Sequence, residues 1–250
     1  MRAAHLVMGT RVTVDVRDPG VAPAALAAAF SELDEADLVF STYRPDSEVC
    51  RIDRGELRAE DASAAVRQVL DLCARYERAT GGAFSAWIGG RLDPSGLVKG
   101  WAVDRACSVL ERHGARNYLV DAGGDVVARG HSRPGAAWRV GIRHPVERSK
   151  VARVVLATDL AVATSGTYER GAHVHDPRAG APAAAGLVSV TVAGSDIVEA
   201  DVWATAVLVL GASAGLDLIE RLDRYEAYAI SDDLRATWTS GFAALCDPAH

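Results

Sequence analysis

The segment from Asp196 to Leu210, DIVEADVWATAVLVL, is apolar on every side and suits only a buried helix, yet it carries Asp201 and Thr205. A spacing of i, i+4 stacks these two oxygen-bearing side chains on one helical face. A carboxylate taken out of water without a partner is costly, so Asp201 must meet something. A hard cation fits, because it takes carboxylate and hydroxyl oxygens together. An arginine fits as well, with Thr205 bonding back to a backbone carbonyl. The helix alone admits both.

Other stretches carry chemical potential of their own. In HVHDPRAG, residues 173–180, His173 and His175 are metal-ligand types, but two residues apart in extended chain they point to opposite sides. An imidazole beside a phosphate also suits general base work, its unperturbed pKa being about 6.5. The plainer reading is a turn at Asp176-Pro177 with both histidines on the surface. LDPSGLVKGWAVD, residues 92–104, sets Lys99 just ahead of a helix start, where backbone donors and an ammonium can hold a phosphate. Neither the Walker A nor the dinucleotide-binding spacing is met, and a loop-to-helix junction with a solvated Lys99 is the bland alternative. VDAGGDV, residues 121–126 and the valine before them, is by default a hairpin turn. Thr164-Ser165-Gly166 lacks the G-x-S-x-G elbow, which disfavours a serine hydrolase.

The elements that must position these groups follow from periodicity and punctuation. His5 to Val16 alternates as a strand, and Asp18, Pro19 and Gly20 end it. Pro23 opens a helix that runs to about Phe40. A polar stretch to Arg54 holds a short helix after Ser47, and a longer helix spans about Ala62 to Ala79 before Gly81-Gly82 stops it. Ala83 to Gly100 is rich in Gly and Pro and is expected to be a loop, with a helix from about Trp101 to His113. Strand-like runs at 118–121, 125–129, 138–142 and 151–156 have the punctuation of a meander. Further strands are expected at 160–164, 187–192, 226–230 and 235–238, with the apolar helix and another at 213–222 between them. Helices and antiparallel strands mix without βαβ alternation, so the fold class is α+β, with largely antiparallel sheets packed with helices in a single domain over residues 1–250.

Composition excludes some partners. The chain is 49% hydrophobic, enough for a full core, and its formal charge of −6 leaves no basic field for a phosphate backbone, so nucleic acid is not an expected partner. Lysine occurs only at Lys99 and Lys150, which makes a lysine inside a motif conspicuous. The four cysteines, Cys50, Cys73, Cys107 and Cys246, form no C-x-x-C pair, so neither a disulfide framework nor a zinc site is expected and a reducing compartment is the natural inference. The N-terminus lacks the apolar run of an export signal, and no apolar run reaches membrane-spanning length. A soluble, cytoplasmic protein without membrane insertion is the expectation.

In order, these pieces resemble the ApbE family of FAD:protein FMN transferases. The resemblance runs through MGT (8–10), STYRPDSEVCRID (41–53), TGGAFS (80–85), LDPSGLVKGWAVD (92–104), LVDAGGDV (119–126) and WRVGIRHP (138–145). It continues through ATSGTYER (163–170), HVHDPRAGAP (173–182), SVTV (189–192) and EADVWATA (199–206). It implies a T-fold-like α+β architecture and an enzyme that uses Mg²⁺ to move FMN from FAD to a threonine hydroxyl of an acceptor protein, with release of AMP. FAD is then a substrate. By motif, the resemblance makes Asp201, Thr205 and the backbone carbonyl of Gly96 the metal ligands, and Met8, Tyr43, Ala83, Phe84, Ser85, Asp93 and Lys99 contacts to FAD. His173 matches the histidine implicated in transfer, and the Thr164, Ser165 and Gly166 turn is expected to line the flavin site.

Two departures stand out. Ser85 occupies the place of the family's usual Asp, and the chain begins close to its MGT motif, where many relatives are exported lipoproteins. Two other activities share these residues: a Mg²⁺-dependent FAD pyrophosphatase that gives free FMN and AMP, and a flavin-binding protein without transfer.

Overall fold

The computed structural model describes residues 1–147, 149–167, 175–183 and 185–249. Its centre is an eight-stranded antiparallel sheet. In spatial order the strands are β1 (Arg2–Val7), β2 (Thr10–Val16), β5 (Tyr118–Ala122), β6 (Asp125–Arg129), β9 (Leu160–Gly166), β12 (Leu187–Gly194), β13 (Glu226–Ser231) and β14 (Ala236–Trp238). Three two-stranded pieces accompany it: β3 (Trp87–Ile88) with β4 (Arg91–Leu92), β7 (Trp138–Arg143) with β8 (Val151–Ala157), and β10 (His175–Asp176) with β11 (Ala181–Pro182). The helices are α1 (Ala24–Phe40), α2 (Glu48–Asp53), α3 (Ala64–Ala79), α4 (Ser95–Arg112), α5 (Ile197–Leu210), α6 (Ala212–Ile219) and α7 (Phe242–Leu245). The architecture is the expected α+β mixture.

Alternation along the strands builds two cores from one sheet. Val12, Val14, Val120, Val127, Ala161, Ala163, Val190 and Val192 face the helices, where α4 packs against both α1 and α5, and α5 lies on β9 and β12. Residues of the opposite parity, among them Val126, Ala128, Val162 and Ala193, face the β7–β8 hairpin and α7. A period of two thus assigns each strand residue to one layer. Asp125 and Ser165 share the parity of the helix-facing set, whereas Thr164 does not.

Four local expectations are corrected. The strand expected over residues 5–16 is two strands, because Met8 (φ 51°) and Gly9 (φ 68°) form a two-residue turn with Val7 opposite Thr10. Positive φ at both turn positions matches the twist of the flanking strands, and a methionine there is unusual. The third long helix begins at Ser95, six positions before Trp101, so Lys99 lies in its second turn and not ahead of its start. Gly96 and Gly100 lower helix propensity enough to hide that turn in the sequence. The meander breaks after β6, since β7 and β8 leave the sheet to form their own hairpin and β6 pairs with β9. Thr164-Ser165-Gly166 is the end of strand β9, paired with β12, and not a turn.

Other features follow the reading closely. Ser47 caps α2 by accepting from the Cys50 N–H, and α3 presents Val66, Val69, Cys73 and Tyr76 as one buried stripe. The Gly123-Gly124 hairpin joins β5 to β6 with Ala122 opposite Asp125. All four cysteines are free, three of them buried. Among the described residues no helix is long and apolar enough to cross a membrane.

Candidate active site

Helices α4 and α5 touch where neither has room for a side chain. A Cβ on Gly100 would lie 3.0 Å from the Ile197 carbonyl oxygen and 3.0 Å from Val198 Cα, both of them backbone. Glycine is what permits this approach. Asp196 starts α5 by accepting the Val198 and Glu199 N–H groups, and Asp201 follows one turn after the contact. On α4, Gly96 lies one turn before Gly100 on the same face.

The Asp201 side chain is buried, and its Oδ2 receives no hydrogen bond. Burial pushes its carboxyl well above the usual carboxylate range, and the neighbouring Asp125 carboxylate adds to the rise. The Lys99 ammonium and the Gly100 N–H pull it the other way. Thr205 Oγ1 lies 3.0 Å from Ser165 Oγ, so the helix hydroxyl is oriented by the end of β9. The charge facing Asp201 is therefore a lysine and a second carboxylate. Among the described residues no arginine is paired with Asp201.

Asp125 went unremarked in the sequence, and it is the most buried charge of the site, at 0% exposure. Its Oδ1 accepts from the Thr164 N–H at 3.3 Å, and its Oδ2 lies 2.6 Å from Lys99 Nζ. That Oδ2 has no partner of good hydrogen-bond geometry, so the Lys99 contact is an attraction of charges and not an aligned bond. The clue was present: a carboxylate opening a strand whose next three residues are also buried is the same anomaly that marks Asp201.

The donor set suits a hard cation. Among the described residues no cluster of three or more His, Cys, Asp or Glu side chains has metal-binding geometry. Mg²⁺ is typically held by one or two carboxylates, with waters and substrate phosphates completing its shell. The orphaned Asp201 Oδ2, the Thr205 hydroxyl and the Gly96 carbonyl are all oxygens, and a buried carboxylate oxygen without a donor is the feature a cation would satisfy.

Several motif residues converge on this pair of helices. A Cβ on Gly96 would meet the Phe84 ring at 3.3 Å, which sets the Ala83-Phe84-Ser85 segment against the first turn of α4. Thr80 fixes that segment by accepting the Phe84 N–H at 3.0 Å, and Ser85 spends its hydroxyl on the Trp87 N–H at 3.0 Å. Asp93 accepts from the Ser95 N–H at 3.0 Å, just where α4 begins. Gly82 packs against the Arg178 side chain, and Asp176 binds Arg178 in turn, the hydrogen bond holding the Asp176 carboxyl below its ordinary range. The Asp176-Pro177 turn is present, with the Asp176 carbonyl accepting from Ala179 and Gly180.

The Met8-Gly9 turn stands beside the Gly123-Gly124 turn, since a Cβ on Gly123 would collide with the Thr10 hydroxyl. Met8 is thereby placed near the strand that carries Asp125. Thr164 belongs to the other face of the sheet, where its hydroxyl pairs with Thr191 at 2.8 Å, and only its backbone N–H serves Asp125. Tyr43 is 93% exposed on the segment between α1 and α2. His173 lies outside the described residues.

Comparison with known proteins adds family context. The sequence profile of the ApbE family matches residues 8–90 and 88–229. An FAD:protein FMN transferase of Treponema pallidum is 29% identical over 317 aligned positions, covering 95% of this chain and 86% of that protein. One from Vibrio cholerae is 36% identical over 138 residues, 52% of this chain and 41% of that protein, so the match spans less than half of the relative's length. Among solved structures, a flavin transferase ApbE from Vibrio cholerae superposes with a TM-score of 0.87 at 25% identity, covering 98% of each chain. An ApbE protein of Thermotoga maritima has the same TM-score and coverage at 21% identity, a likeness of fold.

Proposed function

The chain belongs to the ApbE family, and from that premise we propose that it transfers FMN from FAD to a threonine hydroxyl of an acceptor protein, with Mg²⁺ required and AMP released. The observation that carries the reading is the buried Asp201 oxygen without a donor, one helical turn before Thr205 and within reach of the Lys99 charge. When bound there, Mg²⁺ neutralises pyrophosphate charge and makes AMP a better leaving group.

The chain's own residues do the rest. Asp201, Thr205 and the Gly96 carbonyl hold the cation, while Met8, Tyr43, Ala83, Phe84, Ser85, Asp93 and Lys99 contact FAD, with Ser165 and Gly166 at the end of β9 beside them. Lys99 adds positive charge where the phosphates lie. The acceptor's threonine oxygen bonds to the FMN-side phosphorus, and the bond from that phosphorus to the bridging oxygen breaks. That oxygen leaves with AMP. His173 accepts the threonine proton, the role a neutral imidazole fills near pH 7.

A mixture of the protein, FAD, Mg²⁺ and a candidate acceptor tests this. The acceptor should become heavier by FMN minus water and fluoresce on a denaturing gel. Free FMN appearing whether or not acceptor is present would instead identify an FAD pyrophosphatase, and intact FAD a flavin binder.

A further inference from the structure

Two buried carboxylates in one site repel each other, and a single lysine stands between them and that cost. The three groups are mounted differently. Asp125 rises from strand β6 with one oxygen tied to the Thr164 N–H, so the sheet sets its orientation. Lys99 reaches it from α4 on a four-carbon arm whose side chain is 27% exposed, against 0% for its partner. Asp201 comes from α5, with Oδ2 left open. The strand carboxylate therefore gives the Lys99 ammonium a contact whose position the sheet sets.

We propose that Asp125 is a positioning residue: it tethers the Lys99 ammonium to the sheet side of the site and so keeps the open oxygen of Asp201 available to the divalent cation. The inference rests on the metal reading given above and names a residue outside the proposed ligand set. Without the charge of Asp125, the ammonium, which already acts on Asp201, is drawn toward that carboxyl and competes with the metal for the same oxygen. With Asp125 in place, the ammonium stays on the sheet side and the open Asp201 oxygen is left to a divalent cation.

The test is a calorimetric titration of Mg²⁺ alone into the full chain, without flavin, for wild type, D125N, K99Q and the double variant. D125N should weaken Mg²⁺ binding about tenfold or more, the size expected when an outer-shell partner is lost. K99Q should bind Mg²⁺ at least as tightly as wild type, and D125N/K99Q should lie within about threefold of K99Q, since no ammonium remains to be held aside. An equal loss from D125N in both backgrounds would make Asp125 a ligand or a mere support and overturn the proposal, as would an unchanged D125N. If D125N does not fold, K99Q decides: weaker Mg²⁺ binding in that variant removes the competition on which the idea depends. Wild type that takes up no Mg²⁺ ends the metal reading and this inference together, an outcome distinct from failure of D125N alone.

Discussion

Ser165 Oγ and Thr205 Oγ1 lie 3.0 Å apart, joining the end of strand β9 to the middle of helix α5. The contact orients the threonine hydroxyl one helical turn beyond Asp201. Thr205→Val keeps the shape and removes the oxygen, so Mg²⁺ affinity should fall about tenfold. Thr205→Ser should retain most of it. The Mg²⁺ dependence of FAD binding, followed by flavin fluorescence, separates the two variants; equal affinities would remove Thr205 from the metal site.

Asp201→Asn should split stability from activity. The amide relieves the buried repulsion with Asp125, so in EDTA the variant should melt no lower than wild type. In wild type, Mg²⁺ at about a hundred times its dissociation constant should add about 2.7 kcal/mol. The variant should lose that increment, and its turnover should fall about 100-fold or more. Melting curves with and without Mg²⁺ check this, and an undiminished Mg²⁺ shift in the variant would refute it.

Gly100→Ala tests the helix crossing. The new methyl meets backbone atoms of Ile197 and Val198 at 3.0 Å, and backbone cannot swing aside. Forced overpacking of this kind costs about 1–3 kcal/mol. Urea denaturation should show a loss in that range, and separation of α4 from α5 should lower FAD affinity as well. A variant as stable as wild type would mean that the crossing is looser than described.

His173→Ala should leave FAD binding intact while transfer to the acceptor drops by about 10²- to 10⁴-fold, the usual contribution of a general base. FAD affinity by fluorescence and acceptor flavinylation by mass spectrometry distinguish this from loss of the binding site. Parallel loss of both would reassign His173 to flavin binding.

What the sequence made legible depended on whether a signal was local. The apolar surroundings of Asp201 revealed burial, and the i, i+4 step to Thr205 revealed a shared face, because both facts lie within one helix. Helix α1, the Ser47 cap and the Gly123-Gly124 hairpin were equally readable from a few consecutive residues. The start of α4 was not, since Gly96 and Gly100 weaken the helical pattern and the reason for Gly100 lies nearly a hundred residues further on, at Ile197 and Val198. Asp125 was missed for a related reason. Its partner Lys99 belongs to another element, and a lone aspartate after two glycines looks like part of the turn. The departure of β7 from the sheet was hidden too, because hairpin alternation is the same whether a hairpin extends a sheet or covers it.

The proposed site draws on residues from Met8 to Thr205, and its charges sit on two different layers: Asp125 on the sheet, Lys99 and Asp201 on the helices. No short segment of the chain contains the pocket in miniature. Contacts of such long sequence separation form late and slowly during folding, after loop closure has been met. A nascent or partly folded chain should therefore be unable to sequester FAD, and ligand should act on the unfolding step more than on the folding step. Ligand bridging both layers would serve as a clasp, slowing escape from the native state while leaving the approach to it unchanged.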